Sequence, residues 1–216
     1  MRHAVYRAGR RTESKAKAKA KEMNIVRAPW LATLALLSCA LMAHAQERAI
    51  DKQVVVAAPI EKVWQAWTTS AGIQTFFAPE AEIDARVGGA FHIHMDPLAA
   101  PGMKGADDMR FLALQRPTML TFDWNAPPSL PEARAQRTFV IVRLTPIDAQ
   151  STRVSIHHVG WGDGGEWDKT YAYFDKAWPF ILDKLKASFV SGPADWSEWM
   201  AGLRKAHAAS AASAPK

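Results

Sequence analysis

The feature that most constrains this chain is a change of period. From Glu80 to Val159 apolar residues recur at every second position, and from Trp167 onward they recur at every third or fourth. A period of two makes strands with one apolar face, and a period near 3.6 makes a helix with one apolar stripe. In Ala90 to Asp96, Phe91, Ile93 and Met95 alternate with His92, His94 and Asp96. In the helical part Trp167, Tyr171, Phe174, Trp178, Ile181 and Leu185 form a stripe over some five turns, and Phe189 extends it until Ser191-Gly192-Pro193 stops it. One-faced strands followed by a one-striped helix bury both surfaces only against each other, as a sheet with a long helix laid across it.

The remaining segments fit that architecture. Ile50 to Ala57 reads as a strand and is ended by Pro59. Ile60, Val63, Trp64 and Trp67 then predict one helix, and Gly72 to Phe77 a short second one. Six strands follow: Glu80 to Arg86, Ala90 to Asp96, Met109 to Gln115, Met119 to Asn125, Gln136 to Thr145 and Ser151 to Val159. Pro97 to Asp107 and Pro127 to Glu132 read as loops, because proline cannot donate to a sheet ladder. Short connections favour an antiparallel meander over βαβ units. The fold class is therefore α+β: a helix-grip fold with a curved antiparallel sheet of about seven strands, a long C-terminal helix, and two short helices after the first strand. Pro179 predicts a kink near Asp175. Asp195 to His207 predicts one more short helix, with a disordered Ala/Ser tail beyond it.

Charge sets the domain limits. The chain of 216 residues carries +6, but nine of its 27 basic and two of its 21 acidic residues lie in 1–45. That leaves 18 against 19, a net charge of −1, so no basic surface remains to attract nucleic acid. Within 1–45 a basic stretch ends at Arg27, an apolar run follows from Trp30 to Met42, and Ala43-His44-Ala45 is a small-x-small pattern. This reads as a secretory leader cleaved after Ala45, with 1–22 as an upstream extension before a second start at Met23. The apolar run, at about 13 residues, is short of the roughly 20 that a bilayer span needs. The expectation is a periplasmic or secreted protein with no membrane span after cleavage. Residues 46–192 would be the domain, and 193–216 a short helix and tail. The only cysteine, Cys39, lies in the leader, so the mature domain has no thiol for a disulfide, a metal or catalysis.

Several residues are candidates for chemistry. His92 and His94, two apart on one strand face, have a zinc-compatible spacing but alternate with the core set, which turns them to solvent. His158 shares a face with Val154 and Ile156 and is a candidate ligand contact or acid–base group, with Asp123 or Glu166 as its acid. Arg143 faces the same way as Phe139 and Ile141; on a concave face it would hold a ligand carboxylate, and on a convex one it is an exposed arginine. Phe77, Trp124, Trp161, Tyr171, Phe174 and Trp178 are candidates to line a cavity. The glycine-rich stretch from Gly160 to Glu166 lacks the lysine of a phosphate loop and reads as a flexible turn. No metal or other cofactor is called for.

Taken in order, Ala58-Pro59-Ile60-Glu61-Lys62-Val63-Trp64, Phe76-Phe77-Ala78-Pro79 and Val87-Gly88-Gly89-Ala90-Phe91 resemble the opening of the SRPBCC (START-like) superfamily, in its branch of activator of heat-shock ATPase homologues. Pro117 to Trp124, Leu144-Thr145-Pro146, Ser151 to Gly160, and Trp178 leading into Leu182-Asp183-Lys184-Leu185-Lys186 continue the resemblance, which covers Ile50 to Val190. It implies the same fold, with a deep apolar cavity between sheet and helix, and a position near His158 where the family often has a histidine. It does not transfer the chaperone activity, since an exported domain meets neither a cytosolic chaperone nor its ATP. Three readings stay open: a container for a small hydrophobic or aromatic ligand; a protein-interaction module using a sheet edge or the Trp196/Trp199 segment; and a cyclase- or hydrolase-like enzyme using His158.

Overall fold

A computed structural model describes residues 48–213. The leader, its cleavage after Ala45, the start at Met23 and Cys39 all lie outside the described residues, as do 214–216. Strand β1 (Ile50–Val56) leads into helix α1 (Ile60–Thr68), which buries Val63, Trp64, Ala66 and Trp67. The carbonyl of Pro59 starts that helix by accepting from Lys62 N at 2.9 Å. Helix α2 spans Ser70–Gln74, earlier than the sequence predicts. The Thr69 hydroxyl sets its start by accepting from Gly72 N at 3.0 Å, a side-chain cap that fixes the first turn. Gly72 is required there, because a Cβ would lie 2.6 Å from the Ala66 Cα on the neighbouring helix.

The strands follow as β2 (Glu80–Ile83), β3 (Phe91–His94), β4 (Gly105–Ala106), β5 (Phe111–Gln115), β6 (Met119–Trp124), β7 (Thr138–Asp148) and β8 (Ser151–Val159). They form two antiparallel sheets, ordered β1-β8-β7-β6-β5 and β2-β3-β4. A bridge between Ala90 and Arg110, with Phe91 N donating to Met109 O at 2.8 Å, stitches the two together. The α+β helix-grip class holds, with eight strands in two sheets where the sequence suggests about seven in one. Two elements are not predicted from sequence: β4, inside the loop at 97–107, and the four-residue helix α3 (Pro131–Arg134), which starts within the loop at 127–132 and runs past its end. Both are too short to show a period.

Helix α4 (Gly165–Ser191) crosses the larger sheet and runs on through Pro179 without interruption. Phe174 and Trp178 before the proline, and Ile181, Leu182 and Leu185 after it, hold both halves on the core. Helix α5 (Ser197–Ser213) is longer than predicted and includes six residues assigned from sequence to a disordered tail. Alanine dominates that tail, and its high helix propensity carries the helix onward.

One polar chain ties α4 to the sheet. His158 on β8 is fully buried, and its Nδ1 accepts from Trp178 Nε1 at 2.9 Å. An indole N–H only donates, so Nδ1 carries no proton and the ring proton sits on Nε2. Nε2 therefore donates to Thr138 Oγ1 at 2.7 Å, leaving the threonine hydroxyl to donate to Trp124 O at 3.3 Å. Each buried group finds a partner of opposite kind. Burial, with a smaller push from the neighbouring His157, lowers the His158 pKa from 6.5 to about 3.

A histidine with a folded pKa below its unfolded one favours the native state fully above the unfolded value. That contribution is lost as pH falls toward the folded value. We therefore expect unfolding free energy, followed by urea denaturation, to decline between pH 6.5 and about 3, His158 alone contributing a slope of about 1.4 kcal/mol per pH unit. Replacing His158 with glutamine should flatten that portion of the curve. Trp178→Phe keeps most of the ring but strands Nδ1 without a donor, and should cost about 1–3 kcal/mol at neutral pH.

Candidate cavity between the sheet and two helices

Helix α4 lies closest to β1, where Lys52 pairs with Asp175 at 2.7 Å and the Tyr171 hydroxyl donates to Ala49 O at 2.9 Å. Away from that edge the helix and the sheets diverge, and the space is a cavity of about 710 Å³. Phe77, Trp124, Phe174 and Trp178 form one part of its wall. Their rings combine edge-on, tilted and stacked contacts: Phe77 meets Trp178 edge-on at 6.0 Å, Trp124 tilts against Trp178 at 6.0 Å, and Phe174 stacks on Trp178 at 6.1 Å. Such geometry is favourable for aromatic pairs and makes a stiff, apolar surface. Met95 and Ile181 add aliphatic surface, and Trp196, Trp199 and Leu203 close the side formed by α5. Charged groups are few, Lys184, Asp195 and Glu198, and Tyr173 adds a phenol. The Lys184 ammonium rests 4.8 Å from the Trp196 ring and 5.2 Å from that of Phe180, and the Asp195 carboxylate accepts from Ser197 N and Oγ.

A smaller space of about 370 Å³ shares Met95, Trp124, Tyr173 and Phe174 with the first and reaches under the loop at 97–107. Arg134 pins that loop, donating to Gly102 O and Gly105 O, each at 2.7 Å, and to Ala126 O at 2.5 Å. With the Asn125 amide turned so that its oxygen faces the guanidinium, Arg134 also donates to it at 3.0 Å. One short helix thus fixes two loops that border the smaller space.

Of the residues nominated from sequence, Phe77, Trp124, Phe174 and Trp178 meet at this wall. His158 lies one layer behind Trp178, inside the core rather than on the cavity surface, with both ring nitrogens engaged. Neither acid suggested for it is in reach. Asp123 accepts from Arg110 N at 2.5 Å, and Glu166 accepts from Glu132 N and Ala133 N at 2.8 and 3.0 Å, capping α3. Trp161 and Tyr171 pack together at the other end of α4, where Trp161 Nε1 donates to His158 O at 2.9 Å and Arg48 lies 4.5 Å over the Tyr171 ring. Arg143 is exposed on the outer face of β7, beside Ser155 and His157, and so takes the convex of its two alternatives.

His92 and His94 do face away from the core, but they are not freely solvated. Their side chains are 19% and 14% exposed, and their Nδ1 atoms meet Glu82 and Glu80 across the β2–β3 pair at 3.2 and 2.7 Å. Among the described residues no group of three or more metal-ligating side chains comes together. Sequence reasoning missed the wall from Tyr173, Ala177, Phe180 and Lys184. Their spacings of four, three and four are a second stripe, running beside the main one on the same helix.

Comparison with known proteins agrees with this architecture. Three solved structures share the fold. A protein from Mesorhizobium loti is 24% identical with a TM-score of 0.52, over 64% of this chain and 94% of its own. The Aha1 dimer from Colwellia psychrerythraea is 19% identical with a TM-score of 0.53, over 68% and 99%. A protein from Arthrobacter aurescens is 20% identical with a TM-score of 0.52, over 68% and 88%. A comparison with curated proteins returns no match. Residues 57–189, from the end of β1 almost to the end of α4, match the family model described as activator of Hsp90 ATPase homolog 1-like protein. With that match spanning the sheets, the helix across them and the aromatic wall between, the chain belongs to the activator of Hsp90 ATPase homolog 1-like family.

Proposed function

We propose that this protein is an exported container for a small hydrophobic or aromatic molecule. The observation that carries the reading is the cavity of about 710 Å³, whose size and aromatic wall suit a molecule of drug-like dimensions. A well-packed core leaves few voids larger than a water molecule, so a space of this size set among rings is a feature to be explained. The small number of polar groups argues for selection by shape and apolar contact. No proton-transfer step is proposed, because the buried histidine has no free lone pair to offer a substrate.

Ala177 is partly buried and lines the cavity from α4, so a larger side chain there fills space without removing any packed group. Ala177→Trp should weaken binding of the neutral fluorophore N-phenyl-1-naphthylamine by about tenfold or more, the scale of one lost apolar contact, while the melting temperature stays within a few degrees. Undiminished binding by this variant would place the ligand elsewhere.

Export is proposed from the leader pattern and from the near-neutral charge of the remainder. Intact mass of the protein recovered from the periplasmic fraction or the medium should correspond to a chain starting at Gln46. A cytosolic protein retaining 1–45 or 23–45 would overturn this part of the proposal and leave the cavity reading untouched.

A further inference from the structure

We infer that the segment from Pro193 to Leu203 is a displaceable wall of the ligand site, hinged at Gly192, with Trp196 and Trp199 touching the ligand. The inference rests on the container reading and adds a route into it. The segment begins beyond the family-matched residues 57–189, so this part of the cavity is an addition to the shared fold. It is joined to α4 through Gly192, whose φ of 90° lies in the region that favours glycine and around which the space is open.

What holds the segment differs from what holds the rest. No residue of α5 is buried, although its Trp199 and the preceding Trp196 line the cavity. Its attachments are polar and sit at the periphery. Ala194 N donates to Thr75 O at 2.8 Å, Trp196 Nε1 to Gln74 O at 2.7 Å, and Trp199 Nε1 to Met95 O at 2.8 Å. His207 Nε2 meets Asp96 Oδ2 at 2.7 Å. Bonds of this kind exchange for water at little net cost, whereas the buried stripe of α4 does not. Trp199 is 49% exposed, so half of a large ring is available to close on a molecule inside.

The test uses hydrogen exchange on the protein as it accumulates in cells, with and without N-phenyl-1-naphthylamine. Amides of 197–207 should exchange about 100-fold or more faster than those of 170–185 in the free protein, and should slow about tenfold or more with the probe bound. A Trp196→Phe, Trp199→Phe double variant keeps a smaller aromatic ring at each position and loses both N–H ties. It should bind and release the probe about tenfold or more faster at unchanged fold, by stopped-flow fluorescence. Probe binding with α5 as protected as α4 throughout, or with unchanged rates in the double variant, overturns the displaceable wall and leaves the container standing. Failure of the unaltered protein to bind the probe overturns both. If the double variant does not fold, the exchange measurement on the unaltered protein decides alone.

Discussion

The link from Trp178 through His158 to Thr138 is the constraint on which the rest of the structure depends. A long helix can slide or roll on an apolar sheet with little change in buried area, because apolar contact has no direction. A buried chain of hydrogen bonds has direction. Trp178 donates to a nitrogen of His158 on β8, an interior strand of the larger sheet, and the other nitrogen reaches Thr138 on the central strand β7. The first bond fixes where Trp178, and with it α4, sits along the sheet, and the second holds the imidazole in the orientation that accepts it. That position places Phe174 and Trp178 against Phe77 and Trp124, and leaves the far side of the helix standing clear of β3 and β6.

The cavity follows from asymmetry in that seat. Along β1 the helix is drawn close by an ion pair from Lys52 and by the Tyr171 hydroxyl. On the other side the gap is spanned by aromatic rings, which reach further than aliphatic side chains but meet edge-to-face and cannot flow to fill corners. Trp67 and Trp124 each bury an indole N–H that finds no acceptor among the described residues. The indole N–H groups of Trp161, Trp178, Trp196 and Trp199 all donate. Unpaired buried donors normally cost about 1–3 kcal/mol each. Trp67 carries that cost inside the core, whereas Trp124 carries it in the cavity wall, where the bulk of the ring shapes the space.

Much of this was legible in the sequence because parity and period survive folding. The alternation of β8 put Thr152, Val154, Ile156 and His158 on one face, and all four are buried. The stripe on α4 named Phe174 and Trp178 as inward-facing, and they are. Parity also placed Arg143 with Phe139 and Ile141, but it carries no sign: which face of the sheet is concave depends on where α4 lies. For the same reason His158 was correctly placed inside while its role stayed open, since whether a buried histidine meets a void or an indole depends on a residue twenty positions away. Elements of two and four residues, β4 and α3, have no period to detect. The pair Trp196 and Trp199 shows the limit most clearly. Two tryptophans near a chain end suggest an exposed docking surface, and only the backbone turn at Gly192 brings them back over the cavity.

That turn also accounts for how the chain lines a cavity without building it wholly from the shared domain. The family fold supplies a floor and one long helix, and those are fixed by burial and by the His158 link. Closing the remaining side with a second buried helix would make the interior permanent and inaccessible. A helix attached by hydrogen bonds worth about 0.5–1.5 kcal/mol apiece closes the space while staying within reach of thermal opening. Each methylene that a ligand buries contributes about 0.8 kcal/mol, so the contacts of a few carbons with Trp196 and Trp199 outweigh any one of those ties. The balance between a directional core and a weakly tied extension is thus a physical route by which a bound molecule would itself determine how long the proposed site stays shut.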